Sequence, residues 1–140
     1  MTIEMKISFE WTLLGPVSVD LQGKLAFPRA PTRPGIYRLE FDGTQGKEEY
    51  IGQTDTLLRR FQHYRTPGLS QCTNLRLNAL MQDTINSKGA VSVSIVVDDA
   101  KIAVDGRVTA TRMERASDRV LLEHAAIRVA KEAGIAMLNF

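Results

Sequence analysis

A chain of 140 residues with a formal net charge of +2 suits one domain, large enough to bury a core of its own. Its single cysteine, Cys72, excludes an internal disulfide, and with only His63 and His124 beside it a Cys/His zinc site is excluded as well. The mild positive charge permits nucleic-acid binding without demanding it. No apolar run reaches the length that spans a bilayer and no signal segment is visible at residues 1–10, so the expected setting is cytoplasmic, with no membrane partner.

In chain order, the first 27 residues read as strands: 6–13 is extended in character, Gly15-Pro16 is a turn, and 17–21 alternates apolar with polar. Pro28, Pro31 and Pro34 resist both helix and central strand and make a stiff connector. Residues 1–33 are thus expected to form a β-rich arm packed on the same domain as residues 34–140. Residues 35–41 and 48–52 predict a hairpin whose turn, 42–47, carries two glycines. Thr54 or Asp55 can cap a helix running to about Arg65, with Leu57, Leu58, Phe61 and Tyr64 on one face.

Thr73 or Asn74 starts a second helix through Leu77, Leu80, Met81 and Ile85, stopped by Gly89. Val91, Val93, Ile95 and Val97 mark one face of a strand. Asp105-Gly106 predicts a short hairpin between 102–104 and 107–108. Thr111 and Glu114 fit a capping box, opening a long helix that runs to about Ala133 and is closed by Gly134. The apolar tail at 135–140 is expected to pack back onto the core. This order lacks the βαβ rhythm of a parallel sheet and predicts an α+β fold: a small, mostly antiparallel sheet with helices on its faces.

Three groups of residues invite chemistry. On the last helix, winding at 3.6 residues per turn places Glu123 within an apolar stripe formed by Ala116, Val120, Ile127 and Ala130. A carboxylate so placed needs a cation, a proton or a metal to offset its desolvation. A structural ion pair with Arg119 or Arg38 would meet that need as well as a ligand would. On the first helix Arg60 and Tyr64 are neighbours at i,i+4 on the border of the apolar stripe, where a guanidinium can reach a cleft and grip a phosphate. An ordinary solvated face bearing Arg59, Arg60 and Arg65 is the bland alternative. Tyr37 and Tyr50 stand on the two strands of the hairpin. As bases they would need a cation to lower a phenol pKa near ~10; as sheet residues they need no further explanation.

Gly35-Ile36-Tyr37 followed by Tyr50-Ile51-Gly52 resembles the motif pair of the GIY-YIG nuclease superfamily. The resemblance continues with Arg60, ten residues after the second motif tyrosine, with Tyr64 or the adjacent His63 at the next motif position, with Glu123 in LLEHAAI and with Asn139 in MLNF. It spans residues 34–140. It implies a three-stranded antiparallel core flanked by helices, with the N-terminal arm as an extra, and a metal-dependent endonuclease hydrolysing DNA. In that reading Glu123 is the ligand of one Mg²⁺ or Mn²⁺, Arg60 stabilises phosphoryl charge, and Tyr37 or Tyr50 positions or deprotonates the attacking water. Tyr64 and Asn139 complete the catalytic set, and Arg59, His63 and Arg65 contact nucleic acid, with Arg76 and Arg107 as further phosphate contacts. RNA stays open as a partner. The other readings of the same fold are a binding domain without turnover and a protein-interaction module that uses the N-terminal arm and the 100–109 hairpin as an edge.

Overall fold

A computed structural model describes residues 1–139 of the chain. The elements run β1 (Met5–Ser8), β2 (Thr12–Val19), β3 (Leu25–Ala26), β4 (Gly35–Gly43), β5 (Gly46–Thr54), α1 (Leu57–Arg65), α2 (Cys72–Asn86), β6 (Ala90–Val96), β7 (Lys101–Val104), β8 (Arg107–Ala110), α3 (Ala116–Glu132) and β9 (Ala136–Met137). The class is α+β. A six-stranded sheet has the order β3-β2-β6-β4-β5-β9, antiparallel except for the β5–β9 pair, and a separate antiparallel sheet has the order β1-β7-β8. The antiparallel trio β6-β4-β5 sits inside the larger sheet. In the N-terminal part, β2 pairs with β6 from Thr12 to Val17 and widens the larger sheet.

Alternation along β4 sends Tyr37, Leu39 and Phe41 to one face and Ile36 to the other. The first face packs on α1 and α2 through Leu57, Phe61, Tyr64, Leu77 and Met81. The second packs on α3 through Leu122, Ala126 and Ala130, with Ile51, Val96 and Met113. With helices on both faces, β4 is buried along most of its length.

Several local expectations change in the assembled fold. Gly15-Pro16 is no turn: β2 runs through it with a register shift between Leu13 and Gly15. Because β3 pairs only with Ser18 and Val19, β2 is an edge strand at Pro16, where a missing N–H is tolerated. The β4–β5 ladder continues to Gly43 and Gly46, so the turn shrinks to Thr44-Gln45. Neither Thr54 nor Asp55 caps α1. Its first amides, on Leu57 and Leu58, donate to the carbonyls of Arg33 and Pro31, so the proline connector does the capping. Thr111 is drawn into the ladder beyond β8, its N–H donating to Ala100 O, and α3 starts later, after Arg115. Asp105 and Gly106 both have positive φ, at 49° and 81°, and make the expected tight turn. The tail packs as β9 against β5; Phe140 lies outside the described residues.

Candidate active site

The two motif glycines are explained by crowding. A Cβ on Gly35 would lie 2.6 Å from Val96 O and 3.3 Å from Leu57 Cδ1. On Gly52 it would meet the Tyr37 hydroxyl and lie 2.5 Å from Tyr37 Cζ. Gly52 is opposite Tyr37 in the ladder, so the second motif clears the space that the tyrosine of the first one fills.

Tyr37 is 1% exposed, and its hydroxyl is 2.6 Å from that of Tyr64. Tyr50 packs beside Tyr37, with ring centroids 6.4 Å apart, and lies close enough to Tyr64 for the two phenols to influence each other. Helical spacing thus decides between the two candidates after Arg60: Tyr64 points inward to the phenols, while His63, one residue earlier, does not join them. Burial is the main influence on all three phenols and pushes each above its ordinary pKa, although Arg60 pulls each one down. They are therefore protonated at neutral pH. Of the two phenols expected to position or deprotonate water, Tyr37 is buried against Tyr64, while Tyr50, only half-buried, lies nearest the surface.

The other half of the site is built on the outer edge of β5, where Glu49, Ile51 and Gln53 turn their backbone groups away from β4. Leu138 N–H donates to Glu49 O at 2.8 Å. At Ile51 no strand follows. The Asn139 amide takes its place, with Oδ1 accepting from Ile51 N–H at 3.0 Å and Nδ2 donating to Ile51 O at 2.6 Å. At Gln53 the backbone N–H is near enough to the Glu123 carboxyl to draw its pKa down. One sheet edge is thus closed in turn by backbone and by an amide side chain, with the Glu123 carboxyl beside its next outward group.

Glu123 lies at the border of the buried stripe of α3, not within it. Arg119, Leu122, Ala126 and Ala130 are the buried residues, whereas Val120 is 41% exposed. Its side chain keeps 21% exposure. Neither structural ion-pair partner reaches it. Arg119 donates to Gln53 Oε1 and Met113 O, while Arg38 pairs with Glu40 and stacks over Trp11. Burial raises the Glu123 pKa, partly offset by His124, the Gln53 N–H and Arg60. His124 is a loose neighbour, 3.9 Å away and largely exposed. Arg60, half-buried and with no hydrogen bond or ion pair among the described residues, is thus the cation felt by Tyr37, Tyr50, Tyr64 and Glu123 together.

The remaining candidates do not converge on this point. Arg65 is turned inward, donating to Leu25 O and pairing with Asp20 at 2.9 Å, so its guanidinium is committed to the fold. Arg59 forms an exposed i,i+4 pair with Asp55, and Arg76 donates to Leu138 O. Two residues that sequence reasoning did not place in the site are Gln53, whose N–H lowers the Glu123 pKa, and Arg119, whose bond to Gln53 ties that part of β5 to α3. Only the alternation along β5 after Ile51 hinted at Gln53.

The donor set can be tested for a metal. No three His, Cys, Asp or Glu side chains gather among the described residues. One carboxylate is a poor cage for zinc, yet it suits Mg²⁺ or Mn²⁺, which keep most of their shell as water and phosphate oxygen. Comparison of the chain with protein-family models, with curated proteins and with solved structures finds no match in any of them.

Proposed function

We propose that this chain is a metal-dependent endonuclease of the GIY-YIG type, acting on DNA. The convergence of Arg60, Tyr50 and the carboxyl of Glu123 near the end of β5 carries the reading. Four residues dispersed over 74 positions of sequence, Tyr50, Arg60, Tyr64 and Glu123, influence one another there, in the order the motif resemblance implies.

In this reading Glu123 holds a divalent cation, which when bound supplies positive charge beside the scissile phosphate and acidifies a water. The chain's own groups do the rest. Arg60 donates to the non-bridging phosphoryl oxygens, where negative charge grows as water attacks phosphorus and the bond to the leaving oxygen breaks. With no hydrogen bond or ion pair to give up among the described residues, its guanidinium engages the phosphate at little cost. Tyr50 keeps its proton and donates through Oη, orienting phosphate or water. Tyr64 fixes Tyr50, and Tyr37 fixes Tyr64, in a buried relay that keeps water out from behind. Asn139 and Gln53 fix the strand edge on which Glu123 rests.

The test is cleavage of supercoiled plasmid with Mg²⁺ or Mn²⁺, comparing wild type with Glu123→Ala. The expected result is chelator-sensitive nicking or linearisation that the folded variant lacks. No cleavage of plasmid, branched or single-stranded DNA with either metal would overturn the reading in favour of binding without turnover.

A further inference from the structure

The small sheet β1-β7-β8 ends on β8, and every residue of β8 is exposed. Backbone parity shows what this edge offers. Two bonds fix it: Asp105 N–H donates to Glu4 O, toward β1, and Thr111 N–H donates to Ala100 O, across from β7. Arg107 and Thr109 therefore face β7, as Thr111 does, and the N–H and C=O groups of Val108 and Ala110 face outward. Among the described residues no strand receives these four backbone groups.

Sheet edges are ordinarily protected by proline, charge, a bulge or a covering loop. From Val108 to Ala110 none of these is present. Val108 is 60% exposed, and Val104 and Met5 add exposed apolar surface to the same sheet. The edge is also complementary to itself. Antiparallel pairing about a two-fold axis at Thr109 sets Val108 against Ala110 of a second copy, twice, and all four outward groups are satisfied. In that register Thr109 faces Thr109, a favourable cross-strand pair, and Arg107 faces Thr111 rather than another arginine. A register centred between Val108 and Thr109 would set outward groups against inward ones and satisfy none.

We propose that β8 is a homodimerisation edge, through which two copies of this chain join their small sheets into one continuous six-stranded sheet. The pairing uses few residues and gives a weak, concentration-dependent dimer, in keeping with a contact well below the usual size of a stable interface. It stands independently of the nuclease reading.

Disulfide trapping tests the register. In a Cys72→Ser background, which removes the exposed native thiol, Thr109→Cys places two thiols opposite one another across the axis. Under mild oxidation it is expected to cross-link at least about tenfold faster than the control Cys72→Ser/Ser117→Cys, which carries its thiol at an exposed position on α3. Adding Val108→Pro is expected to abolish the difference. Its missing N–H is an outward one, so the bonds within the monomer are untouched. Light scattering of wild type should show a mass rising with concentration from 15.6 kDa toward twice that value, while Val108→Pro stays at 15.6 kDa. Cross-linking at position 109 no faster than at 117 would overturn the proposal, and that comparison holds even if the proline variant fails to fold.

Discussion

At one end of the outer edge of β5, Glu49 is 8% exposed and lies under the influence of Arg38, which is itself paired with Glu40 and stacked on Trp11. Four residues along, at Gln53, the same edge receives Glu123, which keeps an open face to solvent. Burial pushes both carboxyl groups above their ordinary pKa. At Glu49 the opposing charges are internal, since Arg38 draws its pKa down and Glu40 pushes it up. At Glu123 the counter-groups are a loose histidine, a backbone N–H and an arginine otherwise uncommitted. Desolvation alone therefore does not mark a functional acid. What separates the two is solvent access, since Glu123 keeps an open side and Glu49 does not.

The largest test of this contrast is exchange of each acid for its amide. Glu123→Gln is expected to lose plasmid cleavage to background, and Glu49→Gln to retain it within a few-fold. Equal loss in both would remove the distinction. Next, Arg60→Ala is expected to lower kcat by about 10²–10³, because a donor to developing phosphoryl charge is removed. Single-turnover cleavage at saturating metal checks this, and an effect confined to KM would demote Arg60 to a binding role.

Stability effects should be smaller and fall elsewhere. Gly52→Ala forces a methyl into the Tyr37 ring and is expected to cost about 1–3 kcal/mol in urea unfolding. Asn139→Ala removes both bonds to Ile51 from a part-buried edge and is expected to cost about 1 kcal/mol, with water taking up some of the loss.

The smallest effect concerns pH. A carboxyl whose folded pKa is raised binds its proton more tightly folded than unfolded, so stability falls as pH rises from the unfolded value, near 4.5, through the folded one. At neutral pH both amide variants should thus unfold at slightly higher urea than wild type, and the gain should vanish as pH drops below the usual carboxylate range. A loss of stability in Glu49→Gln would show that its charge is bound to Arg38 more strongly than burial opposes it. In the proposed reading, cleavage is expected to move the opposite way, declining as acid protonates Glu123 in competition with the metal.

Short-range pattern made much of this protein legible. The 3.6-residue period put Arg60 and Tyr64 side by side, alternation defined β4 and β6, and Asp105-Gly106 announced its hairpin, because each depends on neighbours within a turn or a ladder step. The six motif residues also carried a steric relation, Gly52 making room for Tyr37, that spacing implied and packing explains.

Wherever a backbone group finds its partner far along the chain, local pattern gave the wrong answer or none. Pro31 and Arg33 cap α1 in place of Thr54 or Asp55, Ala100 recruits Thr111 away from a capping box, and β6 keeps Gly15-Pro16 extended. The apolar stripe of α3 was legible, but its centre was not, and the resulting shift moved Glu123 from the middle of the stripe to its border. The edge of β5 shows the same limit most plainly, for Asn139 meets Ile51 across 88 residues. The sequence determined which side chains could act together. Which unpaired backbone group would receive each of them was decided only when the sheet closed, since a lone N–H or C=O carries no sequence signature of its eventual partner.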